Sequence, residues 1–308
     1  MYAYPLYFVL FGLVLTAVLG LLASWLDRKV TARVQYRVGP PVLQPAIDIV
    51  KLLGKETLIP AGAHKPTFLA APLFSFAGAA AVSTLLWITV AQPSRGFAGD
   101  VFVALYLFTL PSLGIILGGF ASGNPVASLG ASREMKLILA YELPFVIALF
   151  VPIILSGYAI RLPELAAYQA AERAFVLHPS GLLAFLVALL CTQAKMGLVP
   201  FDVAEAETEI TGGPLIEYSG PGLAVYRLSK NMLFIALPLF LVLMFLGGIP
   251  LSASGIAYGV LKLVLVIALL TLIRNTNPRI RIDQAMCFFW VPVTGVALAA
   301  VVFAMFGW

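Results

Sequence analysis

The chain has 308 residues, of which 61% are apolar and only 11% charged, with a formal net charge of +5. Soluble domains carry about a quarter charged residues, so the composition excludes a soluble globular protein. Its apolar runs lack the alternation of roughly ten-residue strands, which excludes an outer-membrane barrel. The expected fold is an all-α integral membrane protein, one polytopic domain over residues 1–308 with about eight transmembrane helices.

The first span is expected at about 6–26. Its apolar run exceeds that of a signal peptide and no Lys or Arg precedes it, so it should remain as an anchor. A polar loop at about 27–66 follows, in which Gly39-Pro40-Pro41 forces extended or turning backbone. Beyond the turn, Ile47, Val50 and Leu53 oppose Asp48 and Lys51, the pattern of a short amphipathic helix at the membrane interface. A basic loop touching anionic lipid accounts for the charge, but it does not require the Gly-Pro-Pro turn.

Spans at about 67–92 and 101–122 come next, then a loop at 123–136 and a fourth span at 137–158. Glu142 falls a turn or two inside that span, where a carboxylate is costly and indicates an ion route or a buried partner. Pro144 beside it interrupts backbone pairing. The fifth span, 181–199, leads into a cytoplasmic loop reaching to 222.

That loop holds Asp202, Glu205, Glu207, Glu209 and Glu217, five of the fourteen carboxylates in the chain. On a continuous helix Asp202, Glu205 and Glu209 would share one face, and their repulsion would favour an exchangeable proton unless cations such as Arg37 or Lys195 approach. A capping box explains two of the acids, Asp202 as N-cap and Glu205 reaching back, and leaves the other three. The remaining spans, 223–247, 255–273 and 285–306, contain the intramembrane cations Arg227, Lys230 and Lys262, for which ion pairs or snorkelling heads are the alternative to a functional role. Between the last two spans, a basic turn at 274–284 presents Arg274, Arg279, Arg281 and Asp283.

Thirteen Lys and Arg residues fall in the loops on one side and three, Arg95, Arg161 and Arg173, on the other. By the positive-inside rule the first set is cytoplasmic, both termini are outside, and the setting is the cell membrane. The dispersal of basic residues along membrane borders gives no support to a nucleic-acid partner. Cys191 and Cys287 lie in predicted spans, His64 and His178 in loops on opposite sides, and neither pair has metal-ligand spacing. No Walker loop, dinucleotide fingerprint, nucleophile elbow or zincin motif occurs.

Taken in order, these segments resemble the membrane subunit 1 family shared by respiratory complex I and the energy-converting, membrane-bound nickel–iron hydrogenases. The resemblance rests on Arg-x-Gln-x-Arg-x-Gly-Pro at 33–40, Leu-Gln-Pro at 43–45 with Asp48, and Lys-Leu-x-x-Lys-Glu at 51–56. It continues through Tyr141-Glu142, Pro200-Phe201-Asp202, Glu205-Ala206-Glu207-x-Glu209, Glu217-Tyr218-Ser219-Gly220 and Pro278-Arg279-x-Arg281-x-Asp283-Gln284. Gly39-Pro40-Pro41-Val42 runs straight into Leu43-Gln44-Pro45, no Arg stands shortly before Pro200, and Leu-Gly-Ala-Ser-Arg-Glu-Met at 129–135 resembles the hydrogenase form of that loop. These departures from quinone-using relatives favour the hydrogenase-like branch, with its sulfur-reducing members.

The resemblance implies an anchor and coupling subunit that binds no cofactor itself, in a complex whose iron–sulfur clusters and nickel–iron site lie in partner subunits. Implied partners are hydrogenase-like large and small subunits, an iron–sulfur subunit, antiporter-like and small membrane subunits, and, indirectly, ferredoxin. Arg33, Arg37, Gly39, Pro40, Asp48, Lys55, Glu56, Arg274, Arg279, Arg281 and Asp283 would dock the hydrophilic arm. Asp202, Glu205, Glu207, Glu209, Glu217 and Glu142 would carry the proton or coupling change. The alternatives are subunit 1 of a quinone-reducing dehydrogenase and, in a different class, a stand-alone secondary transporter, against which the absence of an internal repeat between the halves counts.

Overall fold

The computed structural model of the protein describes residues 7–93 and 96–307, apart from the side chains of Glu207 and Thr208. Arg95 and the acidic group of Glu207 therefore lie outside the described residues. Among the described residues, seven helices are long and apolar enough to cross a bilayer: α1 (Phe8–Val34), α3 (Lys65–Ala91), α4 (Asp100–Ala121), α5 (Pro125–Leu155), α9 (Gly220–Phe245), α10 (Ala253–Thr276) and α11 (Ile282–Met305). The expected fifth span is α7, Pro179–Lys195, whose 17 residues rise only about 26 Å, close to the shortest helix that spans a hydrocarbon core. Together they form the all-helical membrane fold that the composition demands. Three short helices complete it: α2 (Gln44–Leu53), α6 (Leu162–Ala171) and α8 (Glu207–Ile210).

The hub is α9, buried along most of its length between α1, α3, α7 and α10. Close approach to α1 is possible because Gly20 has no side chain: a Cβ there would stand 2.2 Å from the Asn231 carbonyl oxygen. Prolines sit inside α3, α4, α5, α9 and α11 (Pro72, Pro111, Pro144, Pro152, Pro238, Pro292) without ending any of them. Pro292 lies in a π-helical turn whose first carbonyl, Phe289 O, accepts from the Thr294 hydroxyl at 2.7 Å.

Three expected boundaries move. The first helix does not end near 26 but continues through Val34, so Asp27, Arg28, Lys29 and Arg33 are helical. Asp27 can stay in the helix because it faces inward, accepting from Thr271 Oγ1 at 3.0 Å and paired with Arg274 of α10. The stretch 123–136 is likewise helical, as α5 begins at Pro125 under an Asn124 cap whose side chain accepts from Val126 N at 2.8 Å. The third correction concerns the acidic run, which is not one helix.

From Met196 to Ala206 the chain turns through irregular backbone, and only Glu207–Ile210 is helical. A helix of four residues is worth little by itself. Each described acid of the run is instead taken by a partner on a different element, which overrides the local helical preference. The interfacial helix α2 is present as expected, with Ile49 and Leu52 packed toward α9 and Ile47, Val50 and Leu53 exposed. Gly39, at φ 77°, makes the turn before it, and Trp25 Nε1 holds that turn by donating to Pro40 O at 3.2 Å.

Candidate ion-coupling site

The predicted acids are placed separately. Asp202 accepts from Arg279 at 2.6 Å, Glu205 pairs with Lys230 at 2.6 Å, Glu209 pairs with Arg133 at 2.6 Å, and Glu217 accepts from the Asn124 amide. Glu142, in the membrane interior, pairs with Lys195 at 3.0 Å. Thus Lys195 does approach a carboxylate, but the intramembrane one, while Arg37 remains exposed on the first loop. Asp202 and Glu205 do not cap a helix, because none starts there.

The pairs differ in what they can do. Glu209 and Arg133 meet at the surface, where the Arg133 hydrogen bond holds the carboxyl below its usual range. Such a pair is screened by solvent. Burial pushes the Asp202 carboxyl above its usual range against the opposing charge and hydrogen bond of Arg279, so its proton is the more readily held. Desolvation would also raise Asp48, but hydrogen bonds from Arg28 and Gln44 outweigh it and leave the carboxyl depressed.

Between Glu205 and Glu142 the structure inserts groups that the sequence pattern did not single out. Glu134 of α5 is 8% exposed and lines, with Ser112, Lys195, Asp202, Glu205 and Lys230, an enclosed cavity of about 30 Å³. Most of the remaining lining is apolar, including Ile115, Phe201 and Leu233, so these few polar groups converge in surroundings poor in water. Lys195 reaches from this cavity to Glu142, with its side chain fully enclosed and its ammonium 5.3 Å and 5.4 Å from the ring centres of Tyr141 and Phe145. Glu142 keeps one buried carboxylate oxygen without a hydrogen-bond partner among the described residues. A chain of ionisable groups therefore runs Glu205–Lys230, Glu134, Lys195–Glu142 from the cytoplasmic loop into the bilayer region.

Glu134 is missed from sequence because a loop is expected at 123–136. Its signal is present: Glu134 and Tyr141 stand seven apart, hence on one helix face, once the helix is started at Pro125 and not at 137. The same spacing finds Asp27, the last of the buried series Thr16, Gly20, Ala23 and Asp27.

The residues expected to dock a hydrophilic arm divide into two sets. Arg33, Arg37, Lys55, Glu56, Arg281 and Asp283 are exposed, and the last two make only a 3.5 Å surface pair. Asp48, Arg274 and Arg279 are instead engaged inside the chain, by Arg28, Asp27 and Asp202. Ile280 N also donates to Pro200 O at 3.1 Å, so the 274–284 turn clamps the acidic loop itself. Of the intramembrane cations, Lys230 is in the chain described above and Lys262 donates to Gly248 O at 3.3 Å near the opposite side. Among the described residues no group of three or more His, Cys, Asp or Glu side chains is placed to hold a metal ion.

The family described as NADH dehydrogenase matches residues 6–305. The H subunit of the NADH-quinone oxidoreductase of Thermomicrobium roseum is 38% identical, over 92% of this chain and 90% of its own length. Its counterpart from Anoxybacillus flavithermus is 35% identical, over 91% and 85%. Among solved structures, a chain of the membrane-bound sulfane sulfur reductase, an archaeal respiratory membrane complex, superposes with a TM-score of 0.89 at 28% identity, covering 98% of this chain and 99% of that one. The all-helical membrane architecture and matches over nearly the full length agree: the chain belongs to the NADH dehydrogenase family and is a multi-pass membrane subunit of a complex I-like oxidoreductase.

Proposed function

We propose that this subunit anchors the hydrophilic arm of an ion-translocating complex of the hydrogenase and sulfur-reductase branch and passes the redox-driven change to H⁺ or Na⁺ movement. The observation that carries coupling is the group Glu205, Lys230, Glu134 and Lys195 around one cavity, with Lys195 paired onward to Glu142. Removing charge at one end changes the electrostatic balance at the next, because Glu134, Lys195, Glu205 and Lys230 line the same cavity in surroundings poor in water. The branch is supported by the near-complete superposition on the sulfane sulfur reductase chain and by the direct run from Gly39-Pro40-Pro41-Val42 into Leu43-Gln44-Pro45. A quinone-reducing complex is the second reading, favoured by the NADH-quinone oxidoreductase relatives.

Affinity purification of the intact complex from native membranes separates the readings. Iron–sulfur and hydrogenase-like subunits are expected to co-purify, with reduced ferredoxin driving hydrogen or sulfide formation. Quinone reduction without either product would overturn the branch; a chain that purifies alone would overturn the complex and favour a transporter. Within the complex, Glu205→Gln is expected to preserve assembly and lower the ions moved per electron pair in sealed vesicles. Unchanged stoichiometry and turnover would remove Glu205 from the coupling route.

In the cell membrane the connection from α1 to α3, residues 35–64, faces the cytoplasm and both termini face out, since eight crossings return the chain to its starting side and the basic residues cluster on that side. Lys55 is exposed and outside every helix. Lys55→Cys should react with a membrane-impermeant maleimide only in inverted vesicles; rapid labelling in intact cells would reverse the topology.

A further inference from the structure

Helices α10 and α11 are joined by residues 277–281 on the side of the acidic loop, yet they do not run together. Helix α10 packs on α9 and α1, whereas α11 packs on α5 along its length and on α7 from Thr294 onward. The turn closes the fork between them at one end, where Ile280 N donates to Pro200 O at 3.1 Å. Under that closed end lies a recess of about 490 Å³, whose lining includes Leu190, Phe201, Ile273, Ile280 and Phe288. Farther from the turn the fork opens, and Leu272 and Val291 are exposed on its outer faces.

Among the described residues no ionisable side chain lines the recess. Its two amides are engaged locally: Asn277 donates to Ile273 O at 2.9 Å and to Thr276 Oγ1 at 3.1 Å, and Gln284 accepts from Arg281 N at 3.2 Å. A void between apolar walls forfeits dispersion contacts, and water finds few hydrogen-bond partners in it. One side chain separates this recess from the coupling cavity: Phe201 is 2% exposed and lines both. Its ring centre stands 4.7 Å from that of Phe289 and 5.9 Å from that of Phe288.

We propose that the recess holds one acyl chain of a phospholipid from the leaflet at the α10–α11 turn. The walls are apolar and uncharged, so they recognise hydrocarbon and offer nothing to a headgroup. The turn at 277–281 also decides against a transmembrane helix of another subunit, which is about 10–12 Å across and would have to pass through the Ile280–Pro200 contact. A flexible chain needs only a blind end. The recess sits where α10 ends and α11 begins, so a lipid whose headgroup lies beside the exposed Arg281 has its chain at the right depth. A chain bound there rests on Phe201 from the side opposite the coupling cavity. The site itself does not depend on whether the charges around that cavity carry ions.

Photo-crosslinking tests it on the intact complex in nanodiscs, with phosphatidylglycerol carrying a diazirine midway along one acyl chain and adducts located by peptide mass spectrometry. Adducts are expected on Leu190, Phe201 and Ile280 inside the recess, as well as on bilayer-facing Leu272 and Val291, which any surrounding lipid reaches. Two variants fill the recess from opposite walls, Ile273→Trp on α10 and Leu190→Phe on α7, and native gels show which of them assembles. Excluding about two methylene groups lowers affinity about ten-fold, so adducts on Phe201 and Ile280 should fall by that factor relative to Leu272. Labelling confined to Leu272 and Val291 in the wild type overturns the proposal, as does labelling of Phe201 that an assembled filling variant leaves unchanged. Protection of the whole recess together with adducts on a neighbouring subunit's residues would overturn it in favour of a protein segment in the fork.

Discussion

Lys195→Met is expected to unfold or disassemble the subunit, and adding Glu142→Gln to it should restore most of the loss. The Lys195 side chain is wholly enclosed and its ammonium lies 3.0 Å from Glu142 Oε2, so the single substitution leaves a carboxylate in a low-dielectric site with no cation. Removing one partner of a buried pair costs about 3–5 kcal/mol, a large fraction of the roughly 5–15 kcal/mol that holds a domain folded. Replacing both partners removes both desolvation costs, and Met conserves much of the volume and the contact with Tyr141 and Phe145. Thermal inactivation of the complex in nanodiscs, followed by native gel, measures the order wild type, double variant, single variant. A double variant as unstable as Lys195→Met would move the stabilising role from the ion pair to the cation over the two rings. If the double variant assembles, it also isolates function: electron transfer should continue while ion movement per electron pair falls.

Gly20→Ala is expected to destabilise the subunit far more than a single added methyl does on an open helix face. Its Cβ would lie 2.2 Å from the carbonyl oxygen and 2.7 Å from the carbonyl carbon of Asn231, both backbone atoms that no rotamer change can move. Helix α1 must therefore shift away from α9. Overpacking of this kind costs about 1–3 kcal/mol where side chains can adjust, and here they cannot. The same shift would pull Asp27 from Thr271 and Arg274. Gly295→Ala in α11 is the control, because nothing lies within 4 Å of the added Cβ. There the substitution should be neutral or slightly stabilising, since Ala costs less helix entropy than Gly. Equal behaviour of the two variants in thermal unfolding would show that α1 and α9 are not held as closely as the backbone separation requires.

What could be read from the residues alone was the class and much of the geography. Apolar runs of helix length specify spans whatever they pack against, because the bilayer leaves backbone groups no partner outside a helix. The alternation around Ile47, Asp48, Val50 and Lys51 sufficed to locate α2. The motif order from Arg33 to Gln284 pointed to the family.

Which charge meets which was not legible. Asp202, Glu205 and Glu209 sit within eight residues, and local spacing suggests one helical face, yet their partners come from residues 279, 230 and 133. Ion pairs across such sequence separations depend on how α5, α9 and α10 pack, and that packing follows from small residues such as Gly20 that carry no charge signal. Desolvation then decides the rest: Glu134 and Lys195 become part of the site because tertiary packing closes a cavity around them. Hydropathy and charge determined that this chain crosses a membrane and where its polar segments lie; only the folded packing decided which charges meet, bringing Lys230 to Glu205 and Lys195 to Glu142 from distant parts of the chain.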